Sequence, residues 1–323
     1  MTSPGAGVPQ DTAAVEVDHG VHTDASAIDD LTDAVAETVT KVAPDGSTVG
    51  YRARKTMPLR VELIRQLRRR RTQFVLAFLV LLPFILVISF ELGSSSPNRR
   101  SGGFVDLATA SGVNFVLLTL FVTSSFLLPM IVALFFGDTI ASEASWSSLK
   151  YLLAAPIPRH RLLRRKAISS GLLSVFALAL LPAVALGVGV VWYGAGELVS
   201  PTGEAASFAD GVTGLVLAVC YIAIHLFWVA GLALFLSVAT DAPLGAVGGA
   251  VLASILSQIL DQITALGDLR QYLPTHYALA WADLLSTDID WANMTKGVFS
   301  ALVYGGIFTL LAARRFTTKD ITS

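Results

Sequence analysis

The sequence predicts an all-α integral membrane protein with six transmembrane helices. Of its 323 residues, 54% are hydrophobic and only 15% are charged, whereas charged residues make up about a quarter of an average soluble domain. The apolar residues are gathered into six runs, each close to the roughly 20 residues with which a helix crosses a hydrocarbon core. The runs lack the alternation of a membrane β-strand, so we expect helices and not a barrel.

The six predicted spans differ mainly in the length of their connections. They lie near residues 73–92, 112–137, 167–193, 212–238, 243–263 and 294–313. Residues 239–242 form so short a connection that the fourth and fifth spans must make a helical hairpin, and Pro243 suits the first turn of the fifth. The connection at residues 264–293 carries aromatic and apolar residues that favour short helices at the membrane surface.

The chain is predicted to have two parts of different composition. Residues 1–50 hold nine acidic residues and one basic residue, and much of this stretch is rich in Gly, Pro, Asp and Thr. Such a stretch cannot bury enough apolar surface to fold alone. We therefore predict a disordered acidic cytoplasmic tail at 1–50 and one membrane domain at 51–323.

The distribution of basic residues predicts the orientation. With the N-terminus in the cytoplasm, the inside segments carry nineteen Lys and Arg residues and the outside loops carry three. Cytoplasmic loops of membrane proteins are enriched in Lys and Arg. We therefore expect a multi-pass protein of the inner (plasma) membrane with both termini in the cytoplasm.

Residues 57–72, MPLRVELIRQLRRRRT, predict a basic amphipathic helix ahead of the first span. Its apolar stripe consists of Leu59, Leu63, Ile64 and Leu67. A helix of this kind is suited to lie in the headgroup layer before the chain turns into the membrane. The alternative is a cluster of stop-transfer charges without a defined helix.

The segment between the second and third spans, residues 137–166, is long, polar and basic. Six of its residues are Lys or Arg. It follows one apolar run and precedes another, so it is expected to turn along the cytoplasmic surface. We interpret it as a contact platform for another molecule.

The sequence contains no motif for catalysis or for nucleotide binding. It lacks GxxxxGK[ST], HExxH and GxSxG, so the chain cannot bind ATP in the P-loop manner by itself. Its one cysteine, Cys220, lies in an apolar run, which excludes a disulfide framework. We expect no enzymatic activity, cofactor or metal of the chain's own, and no nucleic-acid partner.

Polar residues inside the spans are the remaining candidates for function, because polar groups are costly to bury in lipid. We predict that a translocation path is lined by Asn114, Thr123, His225, Gln258 and Asp261. The alternative is that such side chains only bond neighbouring helices or carbonyls of their own helix.

The segment after the second span also carries a recognisable order of residues. It contains Gly137, Ile140, Glu143, Leu149, Leu152, Leu153, Pro156, Ile157, Pro158 and Arg159. Together with six spans and a preceding basic amphipathic helix, this order resembles the permease subunits of ABC type-2 exporters. The resemblance covers about residues 57–323.

The resemblance implies a function and a set of partners. It identifies residues 51–323 as a permease domain that forms a translocation path for an ATP-driven exporter. Such permeases pair with a second copy or a related permease chain, and separate cytoplasmic ABC ATPase subunits bind and hydrolyse the ATP. A cytoplasmic coupling helix between spans two and three would contact the ATPase, through Glu143, Trp146, Ser147, Ser148, Leu149 and Lys150.

Two other classes of function remain open at this point. A secondary transporter would use His225 and Asp261 in a proton relay and would need no ATPase. A membrane-embedded structural or sensory protein would leave transport unaffected by its deletion.

Overall fold

The structure is a computed structural model. The structure describes residues 58–94, 104–145, 159–199, 205–240, 242–285 and 291–318. The predicted tail at 1–50 and the predicted coupling residues from Trp146 to Lys150 lie outside these ranges. Both therefore stay predictions.

The described residues are almost entirely helical. The helices are α1 Leu59–Leu67, α2 Arg70–Ser94, α3 Phe104–Ala108, α4 Gly112–Ser124, α5 Leu127–Ser145, α6 Arg159–Tyr193, α7 Phe208–His225, α8 Phe227–Ala239, α9 Pro243–Gln262 and α10 Trp291–Thr318. Two short strands that were not predicted, β1 Leu198–Val199 and β2 Ala205–Ala206, pair antiparallel. Between α9 and α10 lie two 3₁₀ helices, Thr264–Tyr272 and Ala280–Leu285, where the sequence favoured short helices.

Among the described residues, six helical stretches are long and apolar enough to cross a membrane. They are Arg70–Gly93, Leu127–Ser145, Arg159–Tyr193, Phe208–Ala239, Pro243–Gln262 and Trp291–Thr318. This confirms the predicted all-α membrane fold with six spans. Several helices extend beyond the predicted limits because polar residues continue the helix past its apolar centre.

The second span differs from the prediction. Instead of one run near 112–137, the structure has α4, then a break at residues 125–126, then α5, which continues to Ser145. Pro129 explains the break, because a proline has no N–H to donate and its ring clashes with the carbonyl four residues earlier. That carbonyl belongs to Ser125, and it accepts a hydrogen bond from the Gln258 side chain at 2.6 Å.

Helix α8 is the centre of the bundle and packs on α5, α9 and α10. It approaches α10 closely at two glycines, Gly231 and Gly305. A Cβ atom added to Gly231 would lie 2.6 Å from the carbonyl oxygen of Gly305. Small residues let helix backbones approach closely in a membrane, where packing replaces the hydrophobic effect as the driving force.

Replacing Gly305 with Ala should destabilise the fold by about 1–3 kcal/mol, because the new methyl group overpacks this contact. An added Cβ would lie 2.8 Å from the carbonyl oxygen of Phe227. The matched control is Gly306→Ala, since nothing lies within 4 Å of a Cβ at that position. Thermal unfolding in detergent compares the two variants, and equal midpoints would contradict the packing.

Candidate functional site

A cluster of charged side chains joins the end of α5 to the start of α6. Glu143 in the last turn of α5 and Lys166 in α6 are both buried, and Lys166 is only 1% exposed. The Lys166 ammonium contacts the Glu143 carboxylate directly and lies 3.3 Å from Glu62 of α1. Arg65 of α1 lies 2.5 Å from Glu143 and 3.0 Å from Glu62. Three helices therefore share one ion-pair network.

A second acidic residue of α5 holds the chain that leads from α1 into α2. Arg69 lies 2.6 Å from the Asp138 carboxylate, and Arg71 binds the other oxygen of the same carboxylate. Asp138 is largely buried, whereas Arg71 is half exposed. Below, "the charged cluster" means the seven residues Glu62, Arg65, Arg69, Arg71, Asp138, Glu143 and Lys166.

Helix α1 packs its polar face on the protein and exposes its apolar face. Glu62 and Gln66 are buried, whereas Val61, Ile64 and Leu67 are exposed. Of the predicted apolar stripe, Ile64 and Leu67 are exposed and Leu59 and Leu63 are half-buried, and the position in the headgroup layer stays a prediction. The sequence prediction did not include the protein contacts of the polar face.

The Glu62 carboxylate stays ionised within this network. Burial by itself raises its pKa, but the attraction of Lys166 and the hydrogen bond and charge of Arg65 outweigh burial, so the pKa lies below its ordinary value. For a carboxylate this means that the network contributes stability at neutral pH and loses it as the pH falls through the lowered pKa.

Polar contacts also fix α5 to its neighbours within the bundle. The hydroxyl of Ser237 in α8 accepts hydrogen bonds from the backbone N–H groups of Ile140 and Ala141, both at 3.0 Å. Thr139 of α5 and Ser170 of α6 share a hydroxyl–hydroxyl bond of 2.7 Å. Each of these groups is buried, where an unmade hydrogen bond is costly. Helices α5, α6 and α8 are therefore joined as one unit at this end.

Of the predicted coupling residues, the structure describes Glu143 alone. Its side chain is 5% exposed and is bound to Lys166 and Arg65 within the chain. The other predicted coupling residues, from Trp146 onward, belong to the connection between α5 and α6 that the structure does not describe. Direct contact of Glu143 with an ATPase stays a prediction, and its observed partners are internal.

The predicted path residues do not form one continuous row. Asn114 donates to the Val199 carbonyl at 2.7 Å and accepts from its N–H at 2.9 Å, so it holds strand β1. Thr123 donates to the carbonyl of Thr119 in its own helix at 2.7 Å. Asp261 is bound by the His276 ring at 2.6 Å. Polar side chains within spans commonly bond their neighbours in this way, and the translocation path itself stays a prediction.

His225 and Gln258 do lie together, beside the break between α4 and α5. They line a cavity of about 20 Å³ together with Ser125, Ser254 and Thr275. His225 is buried, and its ring stacks on Tyr221 with centroids 5.7 Å apart. A space of this size holds about one water molecule. Asp261 is not among the residues that line this cavity.

Replacing Gln258 with Leu should destabilise the fold by about 1–3 kcal/mol, because the partly buried carbonyl of Ser125 loses its donor. Leu has a similar size, so the loss isolates the hydrogen bond. The matched control is Gln262→Leu, one turn further along α9, where the side chain is exposed. Thermal unfolding in nanodiscs measures both, and a Gln258 variant as stable as the control would contradict this role.

Sequence comparison assigns this bundle to a known class of membrane protein. The fold and the charged cluster define a multi-pass helical membrane protein whose second and third spans are tied together at one end. Residues 59–321 match the family model described as ABC-2 family transporter protein. The match covers most of the chain, so the chain belongs to the ABC-2 transporter family and is a membrane component of a transporter. No curated protein sequence matches the chain significantly.

Proposed function

We propose that the chain is the permease subunit of an ATP-driven ABC exporter. In this proposal it forms the translocation path, and separate cytoplasmic ABC ATPase subunits bind and hydrolyse the ATP. The chain itself is not catalytic and holds no cofactor. The observation that carries the proposal is the charged cluster, which ties both ends of the segment at residues 146–158 to one rigid unit in a chain of this family.

The cluster gives the segment at 146–158 a mechanical role. The segment follows directly on α5 and precedes α6, and Glu143 and Lys166 fasten these helices to each other. Force applied to the segment would therefore move α5 and α6 together, because packed helices move as bodies. Arg65 and Arg69 extend the same connection to α1 and the start of α2. The ATPase would press on this segment through Trp146, Ser147, Ser148, Leu149 and Lys150.

The far end of α5 supplies a place where such a movement can be absorbed. Helix α5 starts at the break at residues 125–126, and the chain at Leu226 between α7 and α8 has a turn beside the same cavity. A helix break absorbs changes in backbone angle more readily than a continuous helix does. We infer that α5 and α8, which Ser237 joins, tilt together about the break at residues 125–126 and the turn at Leu226.

We also propose a membrane, an orientation and an assembly for the chain. The nineteen-to-three ratio of basic residues supports an orientation with the termini and the charged cluster in the cytoplasm, and the proposed location is the inner (plasma) membrane. The apolar outer faces of α2, α9 and α10 are extensively exposed. They offer the area that membrane lipid and a second copy, or a related permease chain, would cover.

Co-expression with the cytoplasmic ABC ATPases of the native host tests the proposal. We expect a stable complex whose ATP hydrolysis is lost when the phosphate-binding lysine of the ATPase is replaced, and no nucleotide binding by the chain alone. A folded chain that forms no complex with the ATPase would contradict the proposal. Flux driven by a proton gradient alone and abolished by His225→Gln would instead support a secondary transporter.

A further inference from the structure

An apolar cavity lies between α4, α6 and α7, away from the charged cluster. It has a volume of about 380 Å³ and is open along one side. All of its lining side chains are Val, Leu, Ala, Pro or Cys, among them Val116, Pro182, Leu186, Leu215 and Cys220. None of these groups can bind a polar ligand through a charge or a strong hydrogen bond.

The cavity is an open groove, and its shape follows from the sequences of α6 and α7. Helix α6 packs closely on α4 but only loosely on α7. On α6, Ala179 and Ala183 stand beside Pro182, and Ala223 faces the groove from α7. Small side chains at these positions leave a gap between helices that larger residues would fill.

The position of the groove determines which molecules can reach it. Its lining residues belong to the apolar parts of two membrane-spanning stretches, Arg159–Tyr193 and Phe208–Ala239, and to α4. The residues at its rim, such as Val175 and Val216, are more than half exposed and face the surrounding hydrocarbon. Water would find no hydrogen-bond partners in the groove, so its contents come from the hydrocarbon.

We propose that this groove is a binding site for one acyl chain of a membrane lipid. Its volume of about 380 Å³ is far more than one water molecule needs and suits a slender hydrocarbon chain. A helix of a second copy is about 10 Å across and could cover the groove but not fill it. The site recognises the chain and not the headgroup, because its lining offers no charge. The inference holds whether or not the chain binds an ATPase.

A lipid with a photoreactive diazirine in the middle of its acyl chain tests this site. The full-length protein is reconstituted in nanodiscs with phosphatidylcholine of this kind, irradiated and digested for mass spectrometry. We expect labelling to concentrate in residues 175–186 and 212–223, which line the groove. Labelling spread evenly over the exposed faces of all the spans would overturn the proposal.

Variants that fill the groove supply the control. We expect Ala183→Phe to abolish labelling of the two segments, because the ring occupies the groove. The matched control is Ala77→Phe on the exposed face of α2, which should leave that labelling unchanged. If Ala183→Phe unfolds, Ala179→Leu makes the same test with a smaller side chain. Unchanged labelling in a folded filling variant, or cross-linking of the groove to a second copy in place of lipid, would also overturn the proposal.

Discussion

Replacing Lys166 with Met is expected to destabilise the protein by about 3–5 kcal/mol, the usual cost of removing one partner from a buried ion pair. The ammonium group is buried between Glu62 and Glu143. Without it, two buried carboxylates share Arg65, whose side chain is less than half exposed. Chemical unfolding in detergent micelles measures the loss as a change in the unfolding midpoint.

Two further variants make the Lys166 prediction specific. Lys296→Met removes the same side chain from an exposed position in α10 and should leave stability unchanged. The double variant with Lys166→Met and Glu143→Gln should recover part of the loss, because it removes one uncompensated charge. A Lys166→Met protein as stable as the wild type would show that the charged cluster does not hold α1, α5 and α6 together.

Replacing Trp146 with Ala is expected to weaken the complex with the ATPase by about thirtyfold or more. Trp146 follows α5 by one residue and is the largest side chain of the proposed coupling segment. Tryptophan residues at the centre of an interface commonly contribute about 2 kcal/mol or more to binding, which corresponds to this factor. Binding of the purified ATPase to the nanodisc-embedded chain gives the dissociation constant.

The control for Trp146 is the exposed Trp192, which lies at the other end of α6 from the charged cluster. Trp192→Ala should bind the ATPase as the wild type does. Equal affinities for Trp146→Ala and the wild type would place the contact elsewhere on the chain. Because both variants keep the charged cluster intact, their thermal stabilities should match.

The sequence predicts the helices of this protein well because hydropathy is a local property. The length of each apolar run by itself indicates a helix that crosses the membrane. The short connection before Pro243 requires a hairpin. Hydropathy summed over a whole apolar run does not show the break in the second span. Pro129 is visible in the sequence, but the donor that satisfies the freed Ser125 carbonyl comes from Gln258, 133 positions away. Only the folded bundle brings them together.

The charged cluster shows why the candidate site was harder to predict. Arginines in the 57–72 stretch predict the orientation of the chain, but Arg65, Arg69 and Arg71 also bind carboxylates of the protein. Their partners Asp138 and Glu143 come from another helix, and pairing over such distances leaves no local pattern. One signal was nevertheless present in the sequence. Two acidic residues stand at the end of an otherwise apolar helix, and carboxylates are rarely buried without partners, so basic partners could have been expected.

The predicted path residues stay a prediction, and their contacts show why a polar residue in a span is an ambiguous signal. Polar residues within spans favoured a shared path, yet Asn114, Thr123 and Asp261 each bond a separate neighbour. A hydroxyl or amide can satisfy itself on a nearby carbonyl, so the residue type alone does not distinguish structure from transport. His225 and Gln258 share one small cavity, and this follows from the helix break beside them.

Site-specific photo-crosslinking tests most directly whether ATP hydrolysis by another subunit reaches this protein through the segment after α5. A photoreactive amino acid replaces Trp146 in one variant and Trp192 in another, in membranes of the native host. We expect the variant at position 146 alone to cross-link an ABC ATPase, with a yield that changes when ATP is added. Absence of an ATPase at position 146, or equal cross-linking at both positions, would contradict the account.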